Sequence, residues 1–110
     1  VSYAIKTQPN FRVHLIAAII AISAGFYFNL TSAEWSVIVF IIGLVFITEM
    51  INTSIESVVD LHTEKFHELA KVAKDVSAGM VLTTAAMAVI TGLLIFLPHL
   101  INRFVITNQL

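Results

Sequence analysis

No cysteine occurs among the 110 residues. Disulfides, thiolate nucleophiles and cysteine-held metals are therefore excluded from any account of the chain. Charge is scarce too: Asp, Glu, Lys and Arg make up 12%, against about a quarter in a soluble domain. With 58% hydrophobic residues and a mean hydropathy of +0.93, the chain is suited to lipid rather than water. A net charge of −1 offers no basic surface for nucleic acid. There is no GxxxxGK[ST] loop and no GxGxxG segment, so any nucleotide chemistry proceeds without a soluble-kinase fold.

What is present is long apolar runs. The length sets a single domain, 1–110, as the expectation. Residues 1–12 mix polar and apolar types, and Pro9 biases Gln8 away from helix. Tyr3, Lys6, Phe11 and Arg12 are the aromatic and basic types that settle at a bilayer surface. A short interfacial helix followed by a turn is expected here. The 13–30 run carries no formal charge and is just long enough to span. It is read as a retained span rather than a secretory signal, being long for an h-region, starting only after Arg12 and lacking an A-x-A site. Ala17, Ala21 and Gly25 form a small-residue ridge along it, which admits a second helix closely.

Thr31 or Ser32 is the expected cap of the next helix, with Trp35 at the membrane interface. A second span is expected over 35–59 and a third over 76–97, the latter with Ala88 and Gly92 as a small pair and Pro98 as its end. The tail from His99 onward suggests no function, and His14 and His99 are read as interfacial. Between the second and third spans, 60–75 is strongly polar and holds more than half of the formal charges. Lys6 and Arg12 precede the first span, and Lys65, Lys71 and Lys74 lie between the second and third. The N-terminus and the 60–75 segment therefore face the cytoplasm in this reading.

One feature is foreign to a plain membrane anchor. Glu49, Asn52, Glu56 and Asp60 follow one another at offsets of three, four and four residues. At roughly 100° per residue they share a stripe about 80° wide on one helix face. A carboxylate inside hydrocarbon costs about 2.5–3.5 kcal/mol on insertion scales and marks a functional site by default. The residue types form a hard-oxygen site, suited to Mg²⁺ shared with phosphates. Glu56 is the better-placed ligand, while deeper Glu49 is placed to take a proton from a membrane-borne hydroxyl. Asn52 is placed to contact phosphate or to orient Glu49. Lys65, His67, Lys71 and Lys74 would supply positive charge for phosphate, completing the parts of a phosphoryl-transfer site. His62 with His67 is poor helical spacing for a metal. A cation- or proton-conducting subunit lined by the same carboxylates is the alternative of another class, and a purely structural assembly module a third. Three spans are too few to enclose nucleotide, metal and lipid together, so self-association is expected.

The segment E-M-I-N-T-S-I-E-S-V-V-D from Glu49 to Asp60, with H-E-L-A-K-V-A-K-D from His67 to Asp75, resembles the prokaryotic diacylglycerol kinase family. N-F-R-V-H-L from Asn10 to Leu15 and the Trp after the first turn resemble it as well, so the likeness covers nearly the whole chain. The resemblance implies an all-α integral membrane kinase that moves the γ-phosphate of ATP to a lipid hydroxyl with Mg²⁺. It implies a homotrimer, with three spans and an interfacial helix per protomer and sites shared between protomers. The acceptor is expected to be diacylglycerol, with undecaprenol as the alternative within the family. Carried over by motif, Glu49 is the catalytic base with Asn52 beside it, and Glu56 is a metal ligand that also meets the nucleotide. Asp60, Lys65, His67, Lys74 and Asp75 face the nucleotide, and Asn10 and Arg12, with Glu49, lie toward the lipid. One position departs from the pattern: Gln8 stands where the family has a second metal-binding glutamate.

Overall fold

A computed structural model of the chain describes residues 2–62 and 68–109. In order they form α1 (Ser2–Thr7), α2 (Pro9–Phe28), α3 (Ser32–His62) and α4 (Glu68–Gln109). The last three are each long and apolar enough to cross a membrane, as the long apolar runs lead one to expect. The break between α1 and α2 falls at Gln8, which is extended at φ −116° and ψ 103°. The following proline excludes the helical conformation there, and Pro9 opens α2 where its missing N–H is no loss. The first span thus starts at Pro9 and includes Arg12, earlier than the 13–30 run alone indicates.

The α2–α3 connection is made by local chemistry. Asn29 adopts the left-handed conformation at φ 54°, a region that Asn tolerates better than most residues. It lets the Leu30 N–H reach back to the Gly25 carbonyl at 3.2 Å and so closes α2. Thr31 then caps α3 reciprocally: its Oγ1 accepts from the Glu34 N–H at 3.2 Å, and Glu34 Oε1 accepts from the Thr31 N–H at 3.0 Å. Thr31, rather than Ser32, is the cap. Trp35 is half-buried and packs on Phe26 at a ring separation of 4.9 Å. A Cβ added at Gly25 would lie 2.5 Å from the Trp35 ring, so the small-residue ridge has its use at Gly25.

The third span does not stop at Pro98. α4 runs through it to Gln109 with no interruption. Proline removes one backbone hydrogen bond and crowds the carbonyl four residues back, but its φ is already helical. Contacts beyond Pro98 hold the continuation in place. His99 Nε2 lies 2.9 Å from Glu34 Oε2, and the Arg103 guanidinium sits over the Tyr27 ring at 4.3 Å. The tail is therefore a helical strut bound to the α2–α3 turn. At 1.5 Å per residue α4 is about 63 Å long, which accounts for the molecule's 65 Å long axis.

The polar 60–75 segment is likewise mostly helix ends, because α3 continues to His62 and α4 begins at Glu68. Lys65 and His67 lie outside the described residues. The interior is a narrow seam between α2, α3 and α4, with Phe11, Ile38, Ile41, Val45 and Val81 buried in it. Elsewhere large apolar side chains face outward, among them Phe40, Leu82 and Leu94 at over 70% exposure. That is the surface of a helix bundle solvated by lipid or by neighbouring helices.

Candidate functional site

The stripe on α3 is real, and α4 packs against its C-terminal half. Glu49 and Asp60 are about 16 Å apart along the helix axis, at 1.5 Å rise per residue. Burial falls along that distance. Glu49 is 2% exposed, Asn52 and Glu56 are half-buried, and Asp60 is exposed. The sequence therefore presents a graded series of oxygen ligands, from one withdrawn from solvent to one at the surface.

Side-chain contacts link three of the four residues to each other or to α4. The Asn52 amide Nδ2 donates to Glu56 Oε1 at 3.3 Å. Its Oδ1 accepts from Ser77 Oγ on α4 at 2.6 Å. Ser77 also lies 3.1 Å from the Lys74 carbonyl, but a hydroxyl has one proton and the shorter contact takes it. This donor fixes the orientation of the amide, because a flipped Asn52 would point oxygen at the Glu56 carboxylate. At the mouth, Lys74 Nζ donates to Asp60 Oδ1. Lys74 is thus held where the stripe ends, and Asp75 and Lys71 beside it are exposed. Immediately before the stripe's inner end, Thr48 joins α3 to Thr84 of α4 through buried hydroxyls 2.9 Å apart.

Glu49 stands apart from this network. Asn52 bonds to Glu56 and Ser77 and makes no hydrogen bond to Glu49 among the described residues. Instead His14 of α2 places Nε2 3.3 Å from Glu49 Oε1. The ring is not aligned for a hydrogen bond, and Oε1 has no other partner among the described residues. His14 is accordingly a neighbour of the most buried carboxylate. It also lines an apolar cavity of about 250 Å³ with Ala17, Val45, Phe46 and Ala88.

Of the N-terminal residues, Phe11 makes the close approach to α3. Phe11 packs its ring on Phe46 at 5.2 Å and is 3% exposed. Arg12 is exposed and donates to the Lys6 carbonyl at 2.7 Å. Gln8 is half-buried and Asn10 exposed, and neither hydrogen-bonds to the stripe among the described residues. No group of three or more His, Asp or Glu side chains closes into a metal cage among the described residues. Mg²⁺ needs no such cage, taking one or two carboxylates and completing its shell with water and phosphate oxygens. Glu56, a hard donor whose Oε1 is oriented by Asn52, is the carboxylate suited to it.

Sequence reasoning missed His14, Ser77 and the Thr48–Thr84 pair. His14 was detectable, since an ionisable residue within an apolar span marks a site by default. Ser77 was not: a lone serine one turn into an apolar helix most often bonds its own backbone.

Comparison with known proteins agrees over most of the chain. The model of the prokaryotic diacylglycerol kinase family matches residues 1–96. An undecaprenol kinase of Bacillus subtilis is 47% identical over 95 residues, covering 86% of this chain and 77% of that protein. A diacylglycerol kinase of Synechocystis is 44% identical over 106 residues, covering 96% of this chain and 61% of that protein. A diacylglycerol kinase of Escherichia coli is 30% identical over 92 residues, covering 84% and 75%. The helical strut beyond Pro98 lies outside the matched family region.

Proposed function

Since the chain belongs to the prokaryotic diacylglycerol kinase family, a family of lipid kinases, we propose that it transfers the γ-phosphoryl group of ATP to the hydroxyl of a membrane lipid with Mg²⁺. The observation that carries this reading is the linked set Glu56–Asn52–Ser77 with Asp60–Lys74, opening above a carboxylate buried to 2% exposure. It supplies a site with a deep base, a metal-height carboxylate and a cation at the mouth.

In this mechanism the lipid hydroxyl approaches from the bilayer and Glu49 accepts its proton as the oxygen attacks the γ-phosphorus. The new oxygen–phosphorus bond forms while the bond to the β–γ bridging oxygen breaks, and ADP leaves. Glu56, with Gln8 in the place of a second carboxylate, holds Mg²⁺, which neutralises phosphate charge when bound. Asn52 keeps Glu56 in position, and Ser77 keeps Asn52 in its productive orientation. Lys74, tethered by Asp60, meets the phosphates, with Asp75, Lys65 and His67 toward the nucleotide. Asn10 and Arg12 lie toward the lipid entrance.

The basic residues Lys6, Arg12, Lys71 and Lys74 gather at the end of the molecule that carries the site, with Arg103 at the other. That asymmetry supports a cytoplasmic N-terminus and a cytoplasmic site in the bacterial inner membrane, with α1 at the interface. One chain leaves the stripe open on a side, and its outward apolar faces suit neighbouring copies. A homotrimer is the assembly proposed, the number three following from the family resemblance. A cation path along the same carboxylates would have Lys74 at its mouth, which opposes cation entry.

The relatives carry both names, so the acceptor is the lipid alcohol of either diacylglycerol or undecaprenol, ranked by a direct competition. The purified chain in vesicles containing both lipids, given radiolabelled ATP and Mg²⁺, labels at least one of them. Undiminished labelling by Glu49→Gln would remove the base assignment, and undiminished labelling by Glu56→Gln the metal assignment.

A further inference from the structure

A carboxylate that is 98% withdrawn from solvent needs a donor, and Glu49 Oε1 has none that is well aligned among the described residues. The one polar atom recorded near it is His14 Nε2 at 3.3 Å, contributed by α2. The cavity that His14 lines is otherwise apolar, with Val45 and Phe46 contributed by α3 and Ala85 and Ala88 by α4. On α1, Tyr3 and Lys6 are exposed, and Arg12, two residues before His14, donates to the Lys6 carbonyl. Glu49 is therefore the only titratable partner recorded for His14 among the described residues.

We propose that His14 is the positioning residue of Glu49: its Nε2–H turns to Glu49 Oε1 and leaves the other oxygen to face the acceptor hydroxyl. This deepens the kinase reading and rests on Glu49 being its base. A small ring rotation converts the present 3.3 Å approach into a hydrogen bond, as catalytic contacts commonly tighten once substrate is bound. The geometry follows the general arrangement in which a base is oriented by a third group. It also gives α2 a role in the chemistry. The first span would hold the base on α3 from one side while α4 supplies Ser77 and Lys74 from the other. No proton is consumed by this step: the imidazole keeps its Nε2 proton, and the acceptor's proton resides on Glu49 until product leaves.

The test uses the full chain in lipid vesicles with ATP and Mg²⁺. His14→Phe is expected to lower kcat by about tenfold to a hundredfold, the scale of a misplaced reacting group, with the KM for ATP within about twofold, because His14 lies beside the base and is not among the residues assigned to the nucleotide. His14→Gln, which retains an N–H donor at a similar reach, recovers most of kcat. A readout independent of turnover comes from ¹⁵N-imidazole spectra: the His14 Nε2 signal reports a hydrogen-bonded N–H and shifts in Glu49→Gln. Full kcat in His14→Phe, or a His14 signal indifferent to Glu49→Gln, overturns the proposal. Should Glu49→Gln itself transfer phosphate normally, the base reading fails; should it be inactive while His14→Phe is fully active, only the positioning role falls.

Discussion

Replacing Ser77 by alanine removes a single oxygen, and the structure says what that oxygen does. Ser77 is 2% exposed, and its hydroxyl is 2.6 Å from Asn52 Oδ1. The Lys74 carbonyl loses a secondary contact at 3.1 Å but keeps its helical partner, so the loss falls on Asn52. Leaving a buried acceptor without its donor costs about 1–3 kcal/mol. Asn52 is half-buried, and water can reach part of it, which sets the expectation at about 1–2 kcal/mol of stability. The functional consequence is separate. Without Ser77 the amide loses the tether on Oδ1 and swings more freely about its side-chain torsions, so Nδ2 holds Glu56 Oε1, 3.3 Å away, less firmly. The Glu56 carboxylate is then less well placed and Mg²⁺ binds less well. Mg²⁺ titrations of phosphoryl transfer in vesicles, paired with thermal denaturation, read both effects. Ser77→Ala should raise the half-saturating Mg²⁺ concentration and lower the melting temperature, while Ser77→Thr restores the first. An unchanged Mg²⁺ dependence with an unchanged melting temperature in Ser77→Ala would refute the Ser77–Asn52–Glu56 linkage.

Other perturbations follow from the same geometry. Gly25→Ala puts a Cβ 2.5 Å from the Trp35 ring; overpacking costs about 1–3 kcal/mol against a helix-propensity gain of about 1 kcal/mol, so the protein loses about 0–2 kcal/mol. Trp35, the single tryptophan, reports the change by its fluorescence. Lys74→Ala breaks an exposed ion pair with Asp60, so it should leave the melting temperature unchanged while raising the KM for ATP. Gln8→Glu restores the carboxylate expected at that position and should lower the Mg²⁺ concentration needed for transfer, read in the same titration.

Much of this architecture is legible in the chain itself. Long apolar runs announce the three helices able to cross a membrane, and the three- and four-residue spacing of Glu49, Asn52, Glu56 and Asp60 puts them on one face. Asn29 and the Thr31–Glu34 pair mark the first turn by side-chain chemistry alone. What the sequence conceals is tertiary. Pro98 reads as a stop because local propensity disfavours it in a helix, whereas contacts of His99 and Arg103 with the α2–α3 turn hold the helix beyond it. Pairings across helices are equally silent. Ser77 lies 25 residues from Asn52 and Thr84 lies 36 from Thr48, and nothing in local composition reveals that α3 and α4 align these residues. His14 is intermediate: its presence in an apolar span is a signal, but its partner on α3 becomes evident only once α2 is packed.

The central claim is that a buried glutamate on α3 accepts the proton of a lipid hydroxyl while the adjoining polar residues hold ATP and its metal. Phosphate transfer from γ-labelled ATP to lipid, measured side by side for the unaltered chain and Glu49→Gln in vesicles holding diacylglycerol and undecaprenol, tests it most directly. The account predicts Mg²⁺-dependent labelled lipid from the unaltered chain and a loss of about 10²–10⁴-fold in the variant. Labelling by the variant at the unaltered rate, or no labelled lipid from either protein, would contradict it.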